Sequence, residues 1–303
     1  MFTKLLVPLD GSAFAEQAIG PAAAIARASQ AAIELVLVHD PLAFGGLAEV
    51  PGEANTPAAE RKYLTTIARE LRDGASVPAS HAVLQGAPAD RIGEQVRAVN
   101  ADLIVMTSHG RTGLSRAWLG SIAHGVLRQA SIPVLVIRPA DEKVGRLETR
   151  HLFKRIMVPL DGSALAPEIL PAAKALARCN NATIIVLQVV QPVPLMTVDV
   201  DFSLMSYPLA PDTEATDGLV DAAKQQLAHV AATLADEGIA VETEVVVAAH
   251  VARAIVDWAR GSRVDAIAMS THGRGASRLL LGSVADKVLR ASDVPMLLQR
   301  PVG

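Results

Sequence analysis

The sequence predicts an α/β fold: two tandem doubly wound domains, each a five-stranded parallel sheet flanked by helices. Three observations predict it. Residues 7–13 read VPLDGSA, and residues 158–164 read VPLDGSA again. A second echo follows: Ser108-His109-Gly110-Arg111 with Leu119-Gly120-Ser121 is answered by Thr271-His272-Gly273-Arg274 with Leu281-Gly282-Ser283. Short apolar runs alternate with longer amphipathic stretches along both copies, the pattern of β-α units. The repeat is too long for a solenoid, whose units recur every ~20–50 residues. Each copy is large enough to bury its own core.

Residues 4–9 (KLLVPL) are a short apolar run ended by Asp10-Gly11, a buried strand and then a turn. Ser12 is placed to cap the following helix through its side-chain oxygen. That helix is expected over residues 13–29, with Ala15, Ala18, Ile19, Ala22, Ala23, Ile25 and Ala26 facing inward. Residues 32–39 (AIELVLVH) form a second buried strand, residues 41–57 a loop rich in Gly, Pro and Ala, and residues 58–73 an amphipathic helix. A third strand at 80–84 leads through Gly86-Ala87-Pro88 into a helix at 89–99. The fourth strand at 101–106 (ADLIVM) is followed by the loop 107–119 and a helix from Gly120-Ser121 to about residue 129. Residues 132–137 (IPVLVI) are the fifth strand. Such alternation implies right-handed crossovers and an open parallel sheet. The second half repeats the order, with strands at 155–160, 183–189, 241–247, 266–269 and 294–299. Its helices fall at about 164–178, 216–237, 251–260 and 283–290. The charged stretch ADEKVGRLETRH lacks an apolar period, so the domains are read as 1–140 and 152–303 with a linker at 141–151. Residues 191–216, with Met196, Met205 and Tyr207 among prolines and aspartates, read as a lid, a contact surface or a plain loop.

Half of the residues are apolar and 19% are charged, which suits strands buried on both faces. A net charge of −3 gives no basic footprint, so no nucleic-acid partner is expected. The lone cysteine, Cys179, rules out an internal disulfide framework and fits a reducing compartment. Pro8 and Asp10 interrupt any signal-peptide core, and no run approaches the ~20 apolar residues of a membrane helix. The expectation is a soluble, cytoplasmic protein that engages no membrane. His39, His81, His124, His151, His229 and His250 show no metal-ligand spacing, so no metal site is expected.

In open parallel sheets ligands sit at the carboxyl ends of the strands, where the winding reverses. Asp10 ends strand one and Gly110 follows strand four, so both flank that crevice. Free backbone amides at the Gly120-Ser121 helix start attract phosphate, and glycine lets the phosphate approach. Asp10 can accept from a ribose or a base. Gly110 as a plain turn glycine and Ser121 as a plain N-cap are the alternatives. There is no Walker motif, and no G-x-G-x-x-G follows strand one. His109 and His272 precede the loop glycine and read as hydrogen-bonding loop residues, since no serine or cysteine nucleophile is paired with them. Arg111 and Arg274 are either phosphate-stabilising or solvated. Pro133 and Pro295 open the fifth strands, where a missing N–H suits an edge. An apolar edge strand invites pairing. The two fifth strands, 133–137 and 295–299, are therefore expected to meet across a pseudo-two-fold, with a homodimer possible on top of that.

The order V-P-L-D-G-S, then S-H-G-R-x8-L-G-S, then a strand beginning I-P-V-L-V, resembles the universal stress protein family over nearly the whole chain. The resemblance implies an adenine nucleotide alpha hydrolase-like fold and, in many members, ATP bound through G-x2-G-x9-G-[ST]. Carried across by position, it implies a first site of Pro8, Asp10, Val38, His39, Asp40, Thr107, His109, Gly110, Arg111, Gly120, Ser121 and Ile122. Residues 111–119 match the pattern's nine-residue spacer, whereas Thr107 stands where the first glycine belongs. The second site would use Pro159, Asp161, Val189, Ser270, His272, Gly273, Arg274, Gly282, Ser283 and Val284. There Ser270 replaces the first glycine, and only residues 274–281 separate Gly273 from Gly282. The strand-two tail is matched as Leu187-Gln188-Val189 against Val38-His39-Asp40, and Ala248-Ala249-His250 stands where the first half has Gly86-Ala87-Pro88.

The expected function is therefore that of an ATP-binding universal stress protein, a nucleotide-dependent stress-response regulator. Mg²⁺ can accompany the ATP through phosphate oxygens. The alternatives are a nucleotide-free interaction module and a slow ATP hydrolase. No catalytic residue is assigned, because no base, metal pair and arginine arrangement for efficient phosphoryl transfer is recognisable.

Overall fold

A computed structural model of the 303-residue chain describes residues 1–39, 56–108, 119–139, 145–148, 153–163, 166–194, 211–271 and 282–301. The first half runs β1 (Lys4–Leu9), α1 (Ala13–Glu16), α2 (Ile19–Ser29), β2 (Ala32–His39), α3 (Pro57–Ala75), β3 (Ala79–Gln85), α4 (Pro88–Val99), β4 (Leu103–Thr107), α5 (Ser121–Gln129) and β5 (Val134–Ile137). The second runs β6 (Arg155–Leu160), a 3₁₀ turn (Ala166–Ile169), α6 (Leu170–Asn180), β7 (Thr183–Val190), β8 (Val193–Pro194), β9 (Pro211–Asp212), α7 (Thr213–Asp236), β10 (Val241–Val247), α8 (Val251–Gly261), β11 (Ala266–Ser270), α9 (Ser283–Ala291) and β12 (Met296–Gln299).

Apolar strands recruit helices on both faces. Successive β1 side chains alternate: Leu5, Val7 and Leu9 join the core under α2 and α3, while Leu6 joins the core under α4 and α5. The seven apolar residues assigned to the inner face of the first helix are all buried. Within each half every strand pair of the main sheet is parallel, as expected for a doubly wound sheet. Between the halves β12 runs antiparallel to β5, with Met296 opposite Val136, Leu297 opposite Leu135 and Leu298 opposite Val134. One sheet of order β10-β7-β6-β11-β12-β5-β4-β1-β2-β3 results. Both fifth strands are shorter than expected, beginning one residue after Pro133 and Pro295. Those prolines still serve through their carbonyls, which accept from Ile104 N and Ile267 N at 3.0 Å.

Two expected helices are broken. The first stops at Glu16 and restarts at Ile19, because Pro21 has no N–H for the Gln17 carbonyl and its ring would strike that oxygen. Restarting puts Pro21 in a first turn, where no N–H partner is needed. Pro171 does the same in the second half, where a 3₁₀ turn precedes α6 and replaces the start of the continuous helix over 164–178. Residues 191–216 are not all irregular: β8 and β9 pair antiparallel, and Asp212 caps α7 through Ala215 N. Residues 195–210, including Met196, Met205 and Tyr207, lie outside the described residues.

The halves are also joined off the sheet. α2 packs on α6, with Ser29 Oγ and Cys179 Sγ 2.9 Å apart. Residues 145–148 cross the first half: Arg146 donates to Glu16 at 2.7 Å and to Glu70 at 3.0 Å. Glu16 also accepts from the Tyr63 hydroxyl at 2.9 Å. Burial first, then the Glu16 charge and that hydrogen bond, push the Tyr63 phenol above its usual value. A folded-state value above the unfolded one means that stability present below ~10 is lost as pH rises toward the folded value. In a Tyr207→Phe background, ultraviolet titration should find Tyr63 ionising above the ordinary phenol range, and Glu16→Gln should bring it down. Ordinary titration with Glu16 intact would contradict this.

Candidate functional site at the carboxyl edge of the sheet

In each half the strand order reverses between strand one and strand four, and the ladder there is short. β1 pairs β4 only through Leu5–Leu103 and Leu6–Ile104, and β6 pairs β11 only through Ile156–Ala266 and Met157–Ile267. Pro8 and Pro159 follow with no N–H to extend the ladder. The strands part at this point, and a crevice opens at their carboxyl ends.

The Asp-Gly turns at the rim are alike. Asp10 Oδ1 accepts from Ser12 N at 2.9 Å, and Asp161 Oδ1 accepts from Ser163 N at 2.9 Å. Gly11 and Gly162 take φ of 82° and 76°, a left-handed backbone that explains the glycine. Ser12 caps α1 through Ala15 N, as its position suggested. The other rim is the start of α5 or α9. Gly120 N donates to Ser108 O at 2.9 Å, and Gly282 N donates to Thr271 O at 2.7 Å. The amides of these two glycines are therefore already engaged. Each glycine is the N-cap and closes the base of the long loop. Ser121 and Ser283 are the first helical residues rather than N-caps, and neither helix has a side-chain cap. The amides open to an anion are therefore those of the residues after the glycine, at the positive end of the helix dipole.

In the second half these parts enclose a cavity of about 590 Å³. That size lies in the range of small-molecule sites, ~300–1,000 Å³. Pro159, Asp161, Val189, Ser270, Gly282, Ser283 and Val284 all line it. His272, Gly273 and Arg274 lie outside the described residues, as do Asp40, His109, Gly110 and Arg111 in the first half. Gln188, matched to His39 in the sequence, also lines the cavity, as do Val190, Gln191, Leu219, Ala222, Gln226, Val251 and Ile255, which were not singled out as site residues. Their signal was the strand register. Leu160 pairs with Gln188 as Leu9 pairs with Leu37. The counterparts of Val38 and His39 are thus Val189 and Val190, and the match of Leu187-Gln188-Val189 to Val38-His39-Asp40 is two residues out.

The first half builds the same rim around different walls. Leu71 O accepts from Val77 N as Leu234 O accepts from Ile239 N. Counting back from these carbonyls aligns Glu60 with Ala223 and Tyr63 with Gln226. His39 Nδ1 lies 2.9 Å from Glu60 Oε1, and Glu60 is 8% exposed. An imidazole and a carboxylate thus stand where the second half has Val190 and Ala223. Pro8 and Val38 are half-buried at the ends of β1 and β2, Thr107 is buried at the end of β4, and Ile122 is exposed at the start of α5. Among the described residues no group of three or more His, Cys, Asp or Glu could hold a metal, and no helix is long and apolar enough to cross a membrane.

The profile of the universal stress protein family matches residues 1–138 and again 152–300. A universal stress protein of Methanocaldococcus jannaschii is 33% identical over 141 residues, 46% of this chain and 83% of the relative. One from Bacillus subtilis is 30% identical over 150 residues, 46% of this chain and 100% of the relative. The crystal structure of a universal stress protein from Archaeoglobus fulgidus superposes with a TM-score of 0.64 at 20% identity, covering 98% of this chain and 96% of that one. With both halves matched and the fold shared along its length, the chain belongs to the universal stress protein family as a tandem of two such domains.

Proposed function

We propose that the chain binds ATP, with Mg²⁺ held through phosphate oxygens, and that the second-half cavity is its tighter site. The carrying observation is that one cavity is lined both by Asp161 and by the uncapped start of α9 at Gly282 and Ser283. A carboxylate suits ribose hydroxyls, and uncapped helix amides suit phosphate. The apolar walls from Val189, Val190, Ala222 and Met269 suit a purine ring. Binding then acts through the conformation or partner it favours, in a cytoplasmic stress response. The chain holds its own dimer through β5 and β12, and the boundary between domains falls at 141–151. Turnover is at most that of a weak ATPase, since among the described residues no nucleophile paired with a base stands out beside the cavity.

A nucleotide-free role for the first half is the second reading. It is favoured by Glu60, Tyr63 and His39, whose side chains occupy positions that are smaller or uncharged in the second half. Mass spectrometry of ligand released from the purified, denatured chain tests both. One ATP or ADP per chain is expected when nucleotide is limiting, and a second at saturation would show that both halves bind. No released nucleotide, and none bound in calorimetry with Mg²⁺, would overturn the proposal.

A further inference from the structure

The ten-stranded sheet ends at β10 on one side and at β3 on the other, and the two edges are unlike. Gly86 N turns inward to His39 O, so by alternation the amides of His81, Val83 and Gln85 turn away from β2. Ala248 N likewise turns to Val190 O, which leaves the amides of Val241, Thr243 and Val245 facing outward. Edge strands are commonly guarded by charged side chains. β10 carries two, Glu242 and Glu244, both exposed, whereas β3 (ASHAVLQ) has no lysine, arginine or carboxylate.

The outermost helices differ in sign. α3 turns Tyr63 toward Glu16 and Glu70 toward Arg146, which marks its inner side. Thr65 reaches His81, and Arg72 donates to Ala79 O at 2.7 Å, which marks the side overhanging β3. At about 3.6 residues per turn, Arg61 and Arg69 fall on that overhanging side too, and all three arginines are exposed. α7 turns Glu237 toward Lys174 and Arg178 of α6. Its far side carries Glu214, Asp217 and Asp221, all exposed, with Lys224 beside Asp221 at 3.3 Å.

We infer that the chain assembles end to end, β3 of one copy pairing antiparallel with β10 of the next. The halves run in opposite directions across the seam, so β3 and β10 point opposite ways, while α3 and α7 pack on the same side of the sheet. A second copy set beside the first in the same orientation therefore brings β10 against β3 and α7 against α3. Both strands are seven residues long. Matched end to end, His81 faces Val245, Val83 faces Thr243 and Gln85 faces Val241, outward amide against outward amide. Val247, 49% exposed at the end of β10, is covered opposite Ala79. The helices then run antiparallel, with Arg69 and Arg72 beside Glu214, Asp217 and Asp221. Two β3 edges would bring arginines together and two β10 edges carboxylates, so unlike edges meet. Sheet twist turns each copy about the direction of growth, and such a contact repeats without closing.

Sedimentation of the full chain against concentration tests this. At low salt the weight-average mass should climb past that of two chains, and at about 1 M salt, where screening acts within ~3 Å, it should fall back. Arg69→Glu with Arg72→Glu, and separately Asp217→Arg with Asp221→Arg, should each return the mass to one chain where the parent grows. Mixing the two variants should restore growth, because the reversed α3 of one then meets the reversed α7 of the other. In the parent, hydrogen exchange at the amides of His81, Val83, Thr243 and Val245 should slow as the mass rises. Thermal midpoints close to the parent's show that the variants are folded. A parent that stays at one chain or stops at two up to its solubility limit would overturn the inference. So would growth retained in either variant, a mixture that stays apart, or unchanged exchange at those amides.

Discussion

Gly282→Glu is expected to empty the second-half cavity of nucleotide. Gly282 has φ −57° and ψ 145°, so any residue can adopt its backbone. A carboxylate at a helix start is favourable to the helix itself, and α9 should stay folded. The new charge, however, stands at the mouth beside Ser283, where the phosphates are proposed to sit. Two like charges about 4 Å apart near a protein surface repel by about 4 kcal/mol. Loss of affinity on the order of 100-fold or more follows. Nucleotide content of the purified variant, with calorimetry against the parent, checks it. Gly120→Glu makes the same change at the start of α5 and should matter less to total nucleotide if the second half is the tighter site, as proposed. Unchanged content in both variants would count against the site.

The second large effect concerns stability. A Cβ at Gly20 would lie 2.0 Å from the Glu148 carbonyl oxygen and 2.7 Å from its carbon. Backbone cannot yield as a flexible side chain does. Gly20→Ala should push residues 145–148 off α2 and separate Arg146 from Glu16, costing about 2 kcal/mol despite the better helix propensity of alanine. Gly218 is the control: it lies inside α7 with nothing within 4 Å of an added Cβ. Gly218→Ala should stabilise by about 1 kcal/mol. Denaturant unfolding of the two variants should therefore move the midpoint in opposite directions. A shift in the same direction would contradict the close approach at Gly20.

Much of this fold was legible because strands buried on both faces are written as apolar runs. The expected ranges of β6 (Arg155–Leu160) and β10 (Val241–Val247) coincide with the observed ones. The breaks before α2 and α6 were also written, in Pro21 and Pro171, but the long apolar face of each helix masked them. Fraying at the start of β4 has a local cause. Asp102 leaves the strand to accept from Thr3 N and Lys4 N, and Asp265 repeats this with Lys154 N and Arg155 N. The Asp-Gly turns of the site were visible as an exact repeat, and the loop glycines as an echo with a spacer one residue shorter in the second half. Gln188 was matched to His39, because one glutamine in an apolar run carries no sign that its register counterpart is Leu37. Only the pairing of Leu160 with Gln188 assigns its counterpart. Nor did the sequence give away the pairing of His39 with Glu60, since that contact joins residues from two different elements.

The antiparallel seam between β5 and β12 has a consequence for how the molecule is read from outside. Ligand mouths form where strands finish, and the two sets of strands finish at opposite borders of the slab. A small protein docked over one mouth is therefore turned away from the other. Two receivers, or one receiver long enough to wrap the slab, are required to sense both ends at once.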